Sequence, residues 1–147
     1  MGRLAQTFGI AVTVLCTLAT KGRNTMKASE RSSQIWAVLA WAAKHRQNIT
    51  YGQLAQATGA FTGGLGNWLE PIQSYCIINS LPPLTVLVVQ QESGMPGSGF
   101  TGASASDLAT AQAKVFSFNW LDHGNPGSEK LDQAAKQLPS NGIKGDA

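Results

Sequence analysis

An apolar stripe at helical spacing, from Ser32 to His45, constrains the fold of this chain more than any other feature. In "SSQIWAVLAWAAKH" apolar side chains recur at three- and four-residue intervals. Ser32 or Ser33 can cap the N-terminus of such a helix. The positive charges of Lys44, His45 and Arg46 complement the dipole at its C-terminal end. The stretch therefore predicts a helix with one broad apolar face.

Two more helical segments follow, and a glycine-rich turn separates them. The hydroxyl of Thr50 is suited to cap a helix that runs to about Thr58 and stops at Gly59. After "GAFTGG", apolar residues from Leu65 to Ile77 again follow helical spacing. Pro71 lies inside this third helix, where it removes one backbone hydrogen bond.

A predicted strand and a glycine-rich wing come next. Pro82 and Pro83 force extended backbone, and Leu84 to Val89 form an apolar, β-branched run. This run predicts a buried strand. The glycines and the proline of "QESGMPGSGF" predict a hairpin or wing that returns to a short strand near Phe100.

The C-terminal third predicts two additional helices. One runs from about Ser106 to Trp120, and the other runs from Ser128 to about Gln137. Residues 139–147 are predicted to be a flexible tail. The order of elements predicts a single α+β domain of winged helix-turn-helix type over residues 27–138, with additional C-terminal helices.

The first 26 residues are predicted to lie outside this domain. Phe8 to Thr20 is an apolar run of 13 residues, short of the ~20 needed to span a bilayer. It fits a signal peptide, with Arg3 ahead of it, an apolar extension or disordered tail upstream of a translation start at Met26, or a helix packed on the domain. We expect a cytoplasmic protein, or an exported one if residues 1–20 are a signal peptide.

The excess positive charge of the chain comes from its N-terminal segment. The formal net charge is +3, and Arg3, Lys21 and Arg23 account for it. From Met26 onward, eight basic residues face eight acidic ones. The predicted domain is therefore neutral, which removes the simplest argument for binding a polyanion.

The cysteines and histidines predict neither a metal site nor a catalytic one. Cys16 and Cys76 give no disulfide framework and no paired metal ligands. Cys76 follows an apolar helix face, which predicts core packing. His45 is predicted to lie on the surface, and His123 beside Asp122 predicts a polar helix end. We expect a protein without cofactor, metal or enzymatic activity.

The stretch "ITYGQLAQATG" resembles the C-terminal domain of alkylguanine-DNA alkyltransferases and of alkyltransferase-like proteins. In that family a Thr-Tyr-Gly segment, here Thr50-Tyr51-Gly52, opens the first helix of the helix-turn-helix. "GLGNWLEPI" resembles the start of its recognition helix. "LPPLTVLVV" and "GMPGSGF" fall where the family has its active-site strand and its wing. The resemblance covers roughly Ile35 to Phe100 and implies a winged-helix fold and a DNA partner.

Two departures from the family separate the fold from its chemistry. The family's methyl-accepting cysteine lies in a Pro-Cys-His-Arg motif, whereas this chain has Thr85 to Val89 in the corresponding segment. The family also has an arginine that fills the space left by a flipped base, and the matching position falls at or near Gly63. The resemblance implies DNA binding without alkyl transfer.

Two sets of residues are predicted to bind partners. For double-stranded DNA, the third helix would present polar groups to the major groove, and basic residues would contact phosphates. These residues are Tyr51, Thr62, Asn67, Gln73, Lys44 and Arg46. The alternative is a protein-interaction module of regulatory or immunity type, with Leu65 and Trp68 on its partner surface.

Overall fold

The longest helix begins before Ser32 and Ser33, the two serines that were predicted to cap its N-terminus. The computed structural model describes residues 26–139, and helix α1 spans Ala28–Lys44. The carboxylate of Glu30 accepts the backbone N–H of Lys27 at 2.7 Å, which closes the first turn. Capping by Ser32 or Ser33 is therefore wrong. The buried Ser32 hydroxyl instead lies 2.6 Å from the Trp68 carbonyl oxygen, which joins α1 to the third helix.

The two predicted helices around the glycine-rich turn are confirmed. Helix α2 spans Tyr51–Thr58. The Thr50 Oγ1 accepts the Gln53 N–H at 3.1 Å, and Gln53 Oε1 accepts the Thr50 N–H at 3.0 Å. Gly59 ends the helix with a φ of 67°. A 3₁₀ turn at Thr62–Gly64 leads into α3, Leu65–Ile78, with Pro71 inside it.

The predicted strand from Leu84 to Val89 is largely wrong. Leu84–Leu87 forms a 3₁₀ turn, in which the Val86 N–H donates to the Pro83 carbonyl at 2.9 Å. Only Val88–Val89 is a strand, β2, and it pairs in parallel with β1, Ile49–Thr50. An apolar run fits any fully buried backbone, so hydrophobicity alone cannot separate a strand from a tight turn.

The glycine-rich segment after β2 folds back on it through one bridge. Val89 pairs with Pro96 in antiparallel fashion, and the Gln90 N–H donates to the Met95 carbonyl at 2.8 Å. The strand predicted near Phe100 is not formed, because the Phe100 N–H donates to the Gly97 carbonyl in a turn. The described residues thus form a mostly helical α+β fold with a two-stranded parallel sheet.

The helix predicted from Ser106 to Trp120 is divided in two. Helix α4 spans Leu108–Ser117, and the short α5 spans Trp120–His123. The break turns the Trp120 ring into the core, where its Nε1 donates to the Val115 carbonyl at 2.8 Å. Helix α6, Gly127–Gln137, confirms the last predicted helix and packs against α1 and α3.

Trp36 lies at the centre of the core. Its ring meets the rings of Tyr75 and Trp120 edge to face, each with a centroid separation of 5.5 Å. No helix within residues 26–139 is long and apolar enough to cross a membrane. The predicted N-terminal segment, apart from Met26, and the predicted tail beyond Pro139 lie outside the described residues.

Candidate ligand-binding cavity

A cavity of about 520 Å³ lies between helices α2 and α3 on one side and the glycine-rich segment on the other. Its walls come from the start of α2, Thr62 in the turn before α3, α3 between Gly66 and Gln73, the 3₁₀ turn before β2, Gln90 and residues 97–101. The volume lies within the range typical of small-molecule sites. We call the segment from Gln90 to Gly102 the wing, because it closes one side of this cavity.

The lining of the cavity combines polar and apolar groups and is almost uncharged. Five residues contribute hydroxyl groups and three contribute amide side chains. Glu70 is the only charged residue among them. Tyr51 and Phe100 add aromatic rings. Such a lining is suited to a flat ligand with several hydrogen-bonding groups.

Two contacts fix the wing against the helices. Gln73 is buried, and its Oε1 accepts the Thr101 N–H at 3.2 Å, which joins α3 to the wing. A Cβ atom on Gly97 would lie only 2.5 Å from the Tyr51 hydroxyl oxygen. A glycine at this position therefore lets the wing approach the start of α2 and keeps the Tyr51 hydroxyl at the cavity wall.

Thr85 also lines this cavity, and its own hydroxyl oxygen is fully buried. Its side chain is 5% exposed, and within residues 26–139 its Oγ1 makes no hydrogen bond. Most buried hydroxyls have a hydrogen-bond partner, because a buried hydroxyl without one costs about 1–3 kcal/mol of stability. The sequence analysis did not single out Thr85, because a β-branched side chain is typical of the strand that was predicted there.

Four of the residues predicted to contact DNA meet at this cavity. Tyr51, Thr62, Asn67 and Gln73 all line it. Gln73 is buried beneath the wing, so it does not project from an exposed helix face as a base-reading side chain would. Lys44 and Arg46, predicted to contact phosphates, are exposed near the end of α1 and are not part of the lining.

The alternative partner surface is only partly available. Leu65 is completely buried, so its predicted place on an exposed partner surface is wrong. The reason is helical phase, since Leu65 lies on the same face of α3 as the buried Leu69 and Ile72. Trp68 is half-buried, and the Arg31 guanidinium carbon lies 5.8 Å from its ring centroid.

Two exposed aromatic residues were missed by the sequence interpretation. Phe61 is 78% exposed and directly precedes Thr62 of the cavity wall. A Cβ atom on Gly63 would lie 2.6 Å from the Phe61 ring, so the glycine leaves room for it. Trp41 is 58% exposed on α1, and its ring centroid lies 4.4 Å from that of His45. The signal for Phe61 was its isolation in a glycine-rich turn.

The thiol of Cys76 belongs to the core, as predicted. Its side chain is 1% exposed. Burial raises the pKa of the thiol to about 11, against a smaller lowering by a hydrogen bond from the Leu84 backbone. His123 lies among aromatic rings, 5.8 Å from Trp36, and its Nδ1 is 2.9 Å from the Gly124 carbonyl oxygen.

We expect Cys76 to be inert towards iodoacetamide in the folded protein. With its pKa raised from 9.0 to about 11, the reactive thiolate is about 100-fold rarer at neutral pH than in a free thiol. The test uses a Cys16→Ser variant, in which Cys76 is the only thiol, and follows labelling by mass spectrometry. Rapid labelling without denaturant would contradict the core assignment.

The Cys76 thiol also makes the stability of the folded protein depend on pH in the alkaline range. The pKa of the Cys76 thiol is 9.0 in the unfolded chain and about 11 in the folded protein, so the unfolded chain releases this proton at lower pH. The unfolded state therefore binds fewer protons in this window, and the free energy of unfolding falls as the pH rises through it. The Cys76→Ala variant should lack this component of the pH dependence.

Comparisons with known proteins leave the cavity as the main guide to function. No protein-family model, curated protein or solved structure matches this chain. In the part of the chain that the structure describes, no three His, Cys, Asp or Glu side chains are grouped so that they could hold a metal ion. Function is therefore argued from the lining of the cavity and the surface around it.

Proposed function

We propose that this protein is a non-catalytic winged-helix module that binds duplex DNA and receives one extrahelical base in the cavity beside the wing. The observation that carries the proposal is the cavity itself, which is large enough for a nucleobase and almost uncharged. Proteins that recognise an extruded base enclose it in such a pocket, with hydrogen bonds to its edge and stacking on its face.

The arrangement of elements supports a winged-helix interpretation. Helices α2 and α3 flank the turn that carries Thr62, and the wing folds back on β2. In the alkyltransferase domains that the sequence resembles, a Thr-Tyr-Gly segment opens the equivalent helix, and Tyr51 at the start of α2 lines the cavity. The sheet is smaller than a winged helix usually has, because β1 and β2 each contain two residues.

The end of α1 offers groups for the DNA backbone. Lys44, His45 and Arg46 are exposed there, beside the exposed Trp41 ring. Five residues of chain join Arg46 to Tyr51, so this end lies within about 18 Å of the cavity wall. Basic side chains at that distance can contact the phosphates that flank a base held in the cavity.

Phe61 supplies a group that can stabilise an opened base stack. Apolar side chains that project from a protein surface are used by DNA-bending and base-extruding proteins as wedges between bases. Phe61 is the most exposed large apolar side chain of the described residues, and its neighbour Thr62 lines the cavity. In this proposal its ring takes the position that the extruded base leaves.

Binding to a fluorescent duplex is expected to depend steeply on salt. In Lys44→Ala/Arg46→Ala, the slope of log K against log salt should fall by about 2, because each lost phosphate contact lowers it by about 1. The titration is performed at low and at moderate salt. Affinity should be higher for a duplex with an unpaired base, since less unstacking is required.

A matched double variant separates local contacts from general charge. Lys130→Ala/Lys136→Ala on α6 removes the same charge from residues that are not part of the cavity lining, and it should leave the slope almost unchanged. Absence of binding by the wild-type protein even at low salt would refute the proposal. Equal slopes for the two double variants would refute the role of Lys44 and Arg46.

The neutrality of the domain favours a second candidate, a protein-interaction module of regulatory or immunity type. Residues 26–139 contain seven basic and seven acidic side chains, so no excess charge draws them to DNA. With Leu65 buried, the exposed Trp41 and the half-buried Trp68 remain for a partner surface. Capture of a partner that survives high salt, and is lost in Trp41→Glu or Trp68→Glu, would support this function.

A further inference from the structure

The outward face of α1 carries an exposed aromatic ring next to basic side chains. The Trp41 ring centroid lies 4.4 Å from that of His45, one turn further along the helix. Lys44 is three residues after Trp41, so it lies on the same face, and it is exposed. Arg46 is exposed just beyond the helix end. The contact with His45 restrains the indole, while more than half of Trp41 remains open to solvent.

The basic side chains near Trp41 form no ion pair within the described residues. From Arg31 to Leu69 the sequence contains three Lys and Arg residues and no Asp or Glu. The salt bridge that the described residues do form joins two side chains of α6. Lys44 and Arg46 are therefore two exposed cations without an acidic partner there, and they complement a partner that carries negative charge.

The remaining side chains of α1 favour a nucleic acid over a membrane or a protein. A helix that lies on a membrane exposes a broad apolar face, whereas the apolar face of α1, with Ile35 and Leu39, is buried in the core. A protein interface surrounds its aromatic anchor with further apolar contacts. Trp41 is the only large apolar side chain that α1 exposes. One exposed ring beside cations matches surfaces on which a single strand stacks a base and places its phosphates.

We infer that the end of α1 binds single-stranded nucleic acid, with one base stacked on Trp41 and neighbouring phosphates contacted by Lys44 and Arg46. A base inside a duplex already has a stacked neighbour on each face, so the ring can receive only an unpaired or overhanging base. This surface goes beyond the proposed function, because it requires neither the cavity nor a duplex.

A single-stranded thymidine oligonucleotide of about ten nucleotides is the probe. Its affinity at low salt is measured by the anisotropy of a fluorescent label. Trp41→Ala should weaken binding by about 5- to 150-fold, which is the effect of losing one stacked base. Trp41→Phe keeps a ring and should retain most of the affinity. Leu121→Ala removes a similarly exposed apolar side chain from α5 and should leave the affinity unchanged.

Two further measurements separate stacking from charge. A base stacked on Trp41 should quench the intrinsic fluorescence, since the other three tryptophans are buried or half-buried. Inorganic polyphosphate carries negative charge but no bases, so it should leave the fluorescence unchanged. In Lys44→Ala/Arg46→Ala the slope of log K against log salt should fall by about 1.4, because each phosphate contact on a single strand contributes about 0.7.

Several results would overturn the inference. These are no binding of the oligonucleotide by the wild-type protein at low salt, equal affinities for wild type and Trp41→Ala, and equal quenching by polyphosphate. Quenching by vesicles of an anionic phospholipid, but not by the oligonucleotide, would assign this face to a membrane instead.

The outcomes also separate this surface from the proposed duplex site. If no duplex binds but the oligonucleotide binds in a Trp41-dependent way, the role of the cavity fails and the single-strand surface stands. If a duplex binds but the oligonucleotide does not, the single-strand surface fails alone.

Discussion

Replacement of Gly66 by tryptophan is expected to weaken binding at the cavity strongly without loss of stability. Gly66 lies in the first turn of α3 and lines the cavity, and a Cβ atom there would have no neighbour within 4 Å. An indole at this position would occupy the space of a base. Since one stacked base contributes about 1–3 kcal/mol, affinity should fall by about 10- to 100-fold.

The folded state should tolerate this change, because glycine is a poor helix former. Tryptophan in place of Gly66 should raise the free energy of unfolding by about 0.5 kcal/mol or less. Denaturant unfolding measures this, and a duplex titration measures the loss of binding. Gly66→Ala is the size control, with wild-type affinity expected. A Gly66→Trp variant that binds as tightly as the wild type would place the ligand elsewhere.

The helices were predictable because their signals are local. The capping box of Thr50 and Gln53 and the stop at Gly59 depend on residues within one or two turns, and each is formed. The predicted start of α1 was wrong because the Ser32 hydroxyl bonds the Trp68 carbonyl oxygen in α3, 36 residues away, instead of capping α1. A serine that can cap a helix can equally satisfy a distant carbonyl, and sequence alone does not distinguish the two.

The cavity was only partly predictable, for a related reason. Tyr51, Thr62, Asn67 and Gln73 were predicted as DNA-binding residues, and all four line the cavity. Thr85 was missed, since its importance arises from a 3₁₀ turn inside an apolar run and from a hydroxyl that makes no hydrogen bond within residues 26–139. A missing partner is a property of three-dimensional packing, so no sequence pattern reports it.

Replacement of Trp36 by alanine is expected to destabilise the protein by about 3–5 kcal/mol, as for other large aromatic residues in a core. Trp36 is 1% exposed and contacts Tyr75 and Trp120 edge to face. A domain of this size is stable by only about 5–15 kcal/mol, so this one change removes a large share of its stability. Denaturant unfolding of the purified variant measures the loss.

Trp41→Ala provides a matched control on the same helix. Trp41 is five residues further along α1 and 58% exposed, so its loss should change stability by about 0.5 kcal/mol or less. The contrast tests the helical phase of α1 in the structure, in which Trp36 is buried and Trp41 is exposed. If Trp41→Ala were as damaging as Trp36→Ala, an additional contact would have to cover the outer face of α1. That face would then no longer be free for the phosphate contacts proposed at its C-terminal end.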